Sequence, residues 1–237
     1  MVVPKVERGL VSMEKCSVND RVCYGWEEGE LDYFFMYLTF FTNVHVCLPL
    51  DEFTMGLLWI LNVAPTQLHP NSWAYLQSFW LLYKMFSLTP TPQSFLHYYN
   101  ARPNILIRWM SLVSQSRAAL FAPYTVSYKH FKIGFFCVAI EPASRKYFYY
   151  GDVPKFPLYW TTSHVHYLYW PRSSMIDDDQ IIFSLFDRLL RRLPTQEILK
   201  FYLWAQRWVD LSGMCIFFIL VWFSTSINLN KLCLPWL

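Results

Sequence analysis

Apolar positions recur three or four apart in the first and last thirds of this chain and alternate between them. Phe53, Leu57, Leu58 and Ile60 predict a helix over residues 52–62, with Asp51 as its cap and Leu50 and Met55 as a hydrophobic staple. Trp73, Leu76, Phe79, Trp80 and Tyr83 predict another over residues 72–85, packed through one buried stripe. Thr91 followed by Pro92 opens a further helix that runs to about Tyr99 and ends before Pro103. Pro65 and Pro70 set their own φ and push the residues before them out of the helical region. Residues 61–73 therefore read as a rigid joint, with Asn71 or Ser72 capping the helix that follows. The apolar run at residues 31–41 is too short to cross a bilayer and is expected as a buried helix. Residues 1–30 are mixed and polar, and read as a loose leader.

After Pro103 the period changes. Ile107, Trp109, Ser111 and Val113 alternate with Arg108, Met110 and Leu112, as in a strand, and Ser114 to Arg117 reads as a turn. Residues 135–140 and 147–150 are further strand candidates, rich in aromatic and branched side chains. A short helical turn over residues 127–132 precedes the first of them. Gly151 to Pro154 reads as a turn, and the prolines of residues 155–160 keep that segment extended and out of a sheet interior. Helix returns in two closing segments. The first opens at Ser174, has Asp177, Asp178 and Asp179 in its first turn and Arg188, Arg191 and Arg192 in its last, and buries Ile181, Ile182, Leu185, Phe186 and Leu189. The second is capped by Thr195 and runs to about Val209. The expected fold is α+β: a helical N-terminal half packed on a small, mostly antiparallel sheet, with two closing C-terminal helices.

Composition narrows the function classes. Of 237 residues, 54% are hydrophobic, 20% aromatic and only 16% charged, which argues for a large aromatic core, a surface made for a partner, or an apolar segment that is not part of a soluble fold. A net charge of +3 does not by itself imply nucleic acid, and seven glycines leave little room for a phosphate-cradling loop. Cys16, Cys23, Cys47, Cys137, Cys215 and Cys233 include no C-x-x-C pair. The first residues hold no apolar run after their charges, so no signal peptide is read, and reduced thiols in the cytoplasm or nucleus are the default. Cys47 and Cys137 are expected as buried core thiols.

The candidate chemistry is thin. Three consecutive aspartates, Asp177 to Asp179, point in different directions on a helix and read as its solvated N-terminus. His164 and His166 share a face if their segment is a strand, but no third or fourth metal ligand lies nearby. His69 before Pro70 reads as part of the joint. Arg188, Arg191 and Arg192, with Lys200 and Arg207, form the one basic group that could contact nucleic acid; a solvated helix end is the alternative. Walker A, dinucleotide and H-E-x-x-H motifs are missing. No catalytic, cofactor-binding or metal-ligating residue is assigned, and no cofactor is expected.

Several long motifs occur in order: Leu48-Pro49-Leu50-Asp51-Glu52-Phe53; Leu61 to Trp73; Phe121-Ala122-Pro123-Tyr124 with Ser127-Tyr128-Lys129-His130-Phe131-Lys132; and Pro154 to Trp160. Together they resemble the gypsy-type transposon domain of plants, also labelled a transposase of gypsy type. Ala205-Gln206-Arg207-Trp208-Val209-Asp210 resembles a further segment of that family. The resemblance spans residues 31–213. It implies an origin in a plant retroelement and a non-polymerase, gag-like or accessory role. The first function expected is a non-enzymatic, gag-like structural or interaction module that self-associates through apolar and aromatic surface. The resemblance supplies no catalytic residues.

Family members often continue into a charged helical region, whereas residues 214–237 here form an apolar tail. Gly213-Met214-Cys215 can be encoded by a plant 5′ splice site, so one reading of the tail is translated intron. The other is a membrane anchor over residues 211–229, about the minimum length for a span. A transposase-like nucleic-acid-processing protein is the remaining alternative, and it predicts that Asp152, Asp177 and another carboxylate converge in a cleft.

Overall fold

The computed structural model describes residues 11–16, 20–23, 32–104, 108–115, 119–163, 165, 170–175, 177–187 and 192–200. The aromatic and branched run Phe135–Ile140 forms β5, the centre of a three-stranded antiparallel sheet. On one side it pairs with β1 (Val11–Lys15), with Val11 opposite Ile140 and Lys15 opposite Phe136. On the other it pairs with β2 (Tyr33–Tyr37), with Tyr33 opposite Ala139 and Tyr37 opposite Phe135.

Two expectations are corrected here. Residues 11–15 belong to the sheet, within what reads in sequence as a leader. The run at 31–41 is no single helix: it is β2 followed by the one-turn α1 (Leu38–Thr42). Phe34, Phe35, Met36 and Tyr37 are all buried, so β2 is covered on both faces. A strand buried on both faces loses its alternation, and periodicity cannot then tell it from a buried helix.

Helix α2 (Glu52–Leu61) starts where expected, with the Asp51 carboxylate accepting from Thr54 N at 2.9 Å. Helix α3 (Pro70–Met85) starts two residues early. Its cap is His69, whose Nδ1 accepts from Asn71 N at 3.1 Å, and Pro70 occupies the first turn. Trp73, Leu76, Phe79 and Tyr83 are fully buried as predicted, whereas Trp80 is half-buried, and Ala74 and Ser78 are fully buried too. The helix is enclosed on most sides rather than along one stripe. Helix α4 (Pro92–Tyr98) has the expected Thr91 cap, reinforced by Ser94 in a reciprocal box.

The chain leaves α4 directly into β3 (Tyr99–Asn104), which pairs antiparallel with β4 (Trp109–Ser114). Only β4 was legible in sequence. Pro103 masked β3, yet a two-stranded ribbon is all edge and accepts a proline. The helical turn expected at 127–132 is a 3₁₀ turn at Phe131–Ile133. Of the strand expected at 147–150, Tyr147 and Phe148 end helix α5 (Arg145–Phe148), while Tyr149 and Tyr150 are strand β6 (Tyr149–Tyr150), which forms a hairpin with β7 (Val153–Pro154). Gly151, at φ 60°, makes the turn between them. Helix α6 (Asp177–Phe186) follows, and residues 195–200 are helical. Thr195 does not cap that last segment; its hydroxyl donates to Ala122 O at 2.9 Å.

The fold class is α+β, with small antiparallel sheets packed around the helices. Rings fill the core. Phe79 contacts Phe53, Phe95 and Tyr83, while Phe95 stacks on Tyr99 at 4.5 Å. Phe40 lies 5.0 Å from Trp73 between α1 and α3.

Candidate interaction site

The joint at residues 61–73 is a hydrogen-bonded hub. Asn62 adopts the left-handed conformation that ends α2, a position asparagine tolerates. Its side chain donates to Ser163 O at 2.7 Å, and its carbonyl accepts from the Thr161 hydroxyl. Gln67 is fully buried and fully satisfied. Its oxygen accepts from Ala64 N at 3.0 Å and Thr161 N at 2.9 Å; its nitrogen donates to Thr161 O at 2.9 Å and Arg108 O at 3.3 Å. The Trp160 indole donates to Thr66 Oγ1 at 2.8 Å, and the Trp73 indole to Pro65 O at 3.2 Å. Two motifs far apart in sequence, 61–73 and 154–160, therefore lead into one interlocked structure. Every group named here is used in holding the chain, and none is aimed at a ligand.

Beside this hub, α2 and the β6–β7 hairpin enclose a groove of about 300 Å³ lined by Met55, Gly56, Trp59, Tyr150, Val153 and Pro154. Trp59 is 54% exposed, Tyr150 68% and Val153 54%. One charged network closes the groove. The Glu52 carboxylate accepts from Tyr150 Oη at 2.8 Å and from Lys155 Nζ, while that ammonium also lies 4.6 Å from the centre of the Tyr150 ring. Burial alone would raise the Glu52 pKa, but the bonds from Lys155 and Tyr150, together with the Lys155 charge, hold it below the usual carboxylate range. The same carboxylate raises the Tyr150 phenol. The rim is thus apolar and aromatic, and its ions neutralise one another. Trp59 stood outside the apolar spacing of α2 in sequence, and that misfit was the one signal of an outward face.

The other candidate residues do not assemble with this groove. Asp179 is 3% exposed and accepts from Thr91 Oγ1 at 3.0 Å, so at this aspartate the reading of a solvated helix end is corrected. It ties α6 to the start of α4. The side chains of Asp177 and Asp178 lie outside the described set. Asp152 is fully exposed and faces Arg145 at 3.5 Å. Arg145 also reaches Asp32 at 3.1 Å, and Asp32 accepts from Tyr149 Oη at 2.6 Å. Arg192 is exposed, and Lys200 pairs with Glu197 at 3.1 Å. Arg188, Arg191, His164, His166 and residues 201–237, which include Arg207 and the tail at 214–237, lie outside the described residues.

Burial first, and then the Lys132 charge, lower the His69 pKa, which suits its role as an uncharged cap acceptor. Cys47 and Cys137, expected in the core, are half-buried. Burial and then Asp20 push the Cys16 thiol up to about 11, far from thiolate reactivity at neutral pH. Among the described residues no three His, Cys, Asp or Glu side chains stand close enough to hold a metal ion, and no helix is long and apolar enough to cross a membrane. No family model, curated protein or solved structure matches the chain.

Proposed function

We propose that this chain is a retroelement-derived, non-enzymatic, gag-like structural protein that associates with further copies of itself through the groove between α2 and the β6–β7 hairpin. The motifs resembling the gypsy-type transposon domain support the origin. The observation that carries the mode of action is the outward Trp59, Tyr150 and Val153 around that groove. Exposed apolar patches of this kind mark interaction surfaces. Glu52 and Lys155 satisfy each other, so two such faces can meet without bringing like charges together. A two-fold contact is self-complementary in this sense, the same patch serving both copies.

The test is the mass of the full chain across protein concentration, by sedimentation or light scattering. Wild type is expected to gain mass as concentration rises. Trp59→Asp is expected to stay monomeric with an unchanged circular dichroism spectrum, because Trp59 is exposed and contributes little to the fold. A wild-type protein that remains monomeric throughout, or a Trp59→Asp protein that assembles equally well, overturns the reading.

A further inference from the structure

The most exposed large hydrophobic side chain among the described residues is Ile133, at 76%. It ends the 3₁₀ turn Phe131–Ile133, entered through His130 in the left-handed conformation at φ 60°. The turn is built to hold Ile133 outward. Ile133 N donates to His130 O at 3.0 Å, and Gly134 O accepts from Leu38 N at 2.8 Å. Phe131 is the inward anchor, its ring 5.1 Å from Tyr37 and 5.3 Å from Trp109. Leu38, at 37% exposure, adds a second aliphatic group beside Gly134.

Basic side chains cluster at this tip. Lys129, His130 and Lys132 are all exposed, and Lys132 Nζ sits 4.1 Å above the Trp109 ring, next to the exposed Arg108. From Phe53 to Ile140 the chain contains no Asp or Glu, yet it carries Lys84, Arg102, Arg108, Arg117, Lys129 and Lys132. The flanking segments hold more acid than base, so the modest overall charge hides this asymmetry. The exposed Glu14 of the same sheet pairs opposite Cys137, further along β5 from the tip.

We infer that the tip at residues 128–134 docks the protein on an anionic lipid surface, with Ile133 entering the apolar layer and Lys129 and Lys132 facing the headgroups. An aliphatic wedge with basic neighbours is the chemistry of interfacial binding. Single-stranded nucleic acid is the other polyanion to weigh, but it needs open aromatic faces for stacking. Here Trp109 is 9% exposed under Lys132, and Phe131 is wedged between rings. The most exposed apolar side chain of this tip, Ile133, is aliphatic. The inference is independent of self-association and of the apolar tail.

The experiment is co-sedimentation of the full chain with phosphatidylcholine vesicles, with and without phosphatidylserine, across salt. Binding is expected only with phosphatidylserine and is expected to weaken as salt rises. Ile133→Asp, and separately Lys129→Glu with Lys132→Glu, should each lower it about tenfold or more. Ile133→Ser, checked by thermal melting, serves if the aspartate disturbs the fold. Binding that ignores phosphatidylserine and survives these changes would belong to the tail and overturns the inference. So does binding to poly(U) RNA that depends on the two lysines while phosphatidylserine vesicles are ignored.

Discussion

Gln67 shows how much one side chain can hold here. Its amide makes four hydrogen bonds to backbone groups from three parts of the chain, with no solvent contact. Gln67→Leu would keep the bulk and leave those backbone groups without their partner. Each buried group so orphaned costs about 1–3 kcal/mol, so a loss of about 3 kcal/mol or more is expected in urea denaturation. His69 is a second case, and its sign can be worked out. Its folded pKa lies below the ordinary 6.5, so the unfolded chain binds the proton more readily. Stability then falls as pH drops below about 6.5 and levels off below the folded pKa. His45, whose pKa burial also lowers, adds a slope of the same sign. His69→Asn keeps an acceptor for Asn71 N and removes one titrating ring. Urea midpoints measured between neutral and mildly acidic pH should show a shallower fall in that variant; an identical slope would refute the assignment.

Among the elements, β1 changes the most between sequence and structure. Val11 to Lys15 covers the edge of β5 from Ile140 to Phe136. An uncovered central strand is a template for pairing with other chains. Deleting residues 1–16 should therefore lower Tm by several degrees and promote aggregation, given roughly 0.2–1 kcal/mol for each lost cross-strand pair. A dispensable leader would leave both measurements unchanged. The helices behaved differently. The starts of α2 and α4 were legible because Asp51 and Thr91-Pro92 are local signals, acting within three residues. The start of α3 was missed by two residues because imidazole is an uncommon cap, and nothing in the pattern marks His69 as an acceptor.

At the scale of the whole molecule, most aromatic rings of the described residues are buried, around Trp73, Phe79 and Phe95. A few are turned outward at Trp59 and Tyr150, where the proposed self-association takes place. The basic tip at 128–134 shares no residue with that groove. The two proposals are therefore separable: in the mass measurement above, Ile133→Asp should assemble like wild type, whereas Trp59→Asp should not.

Legible in the residues alone were the α+β class, the capped helices α2 and α4, the β5 strand and the proline-set break between α2 and α3 at the 61–73 joint. Each rests on interactions between near neighbours: a cap, a proline, a period of 3.6 or 2. Long-range packing is what places residues 11–15 in a sheet, makes 33–37 strand rather than helix, buries Asp179 and sets Trp59 across a groove from Tyr150. Those outcomes depend on partners far away along the chain, and a residue's own neighbours carry no record of which distant surface will cover it.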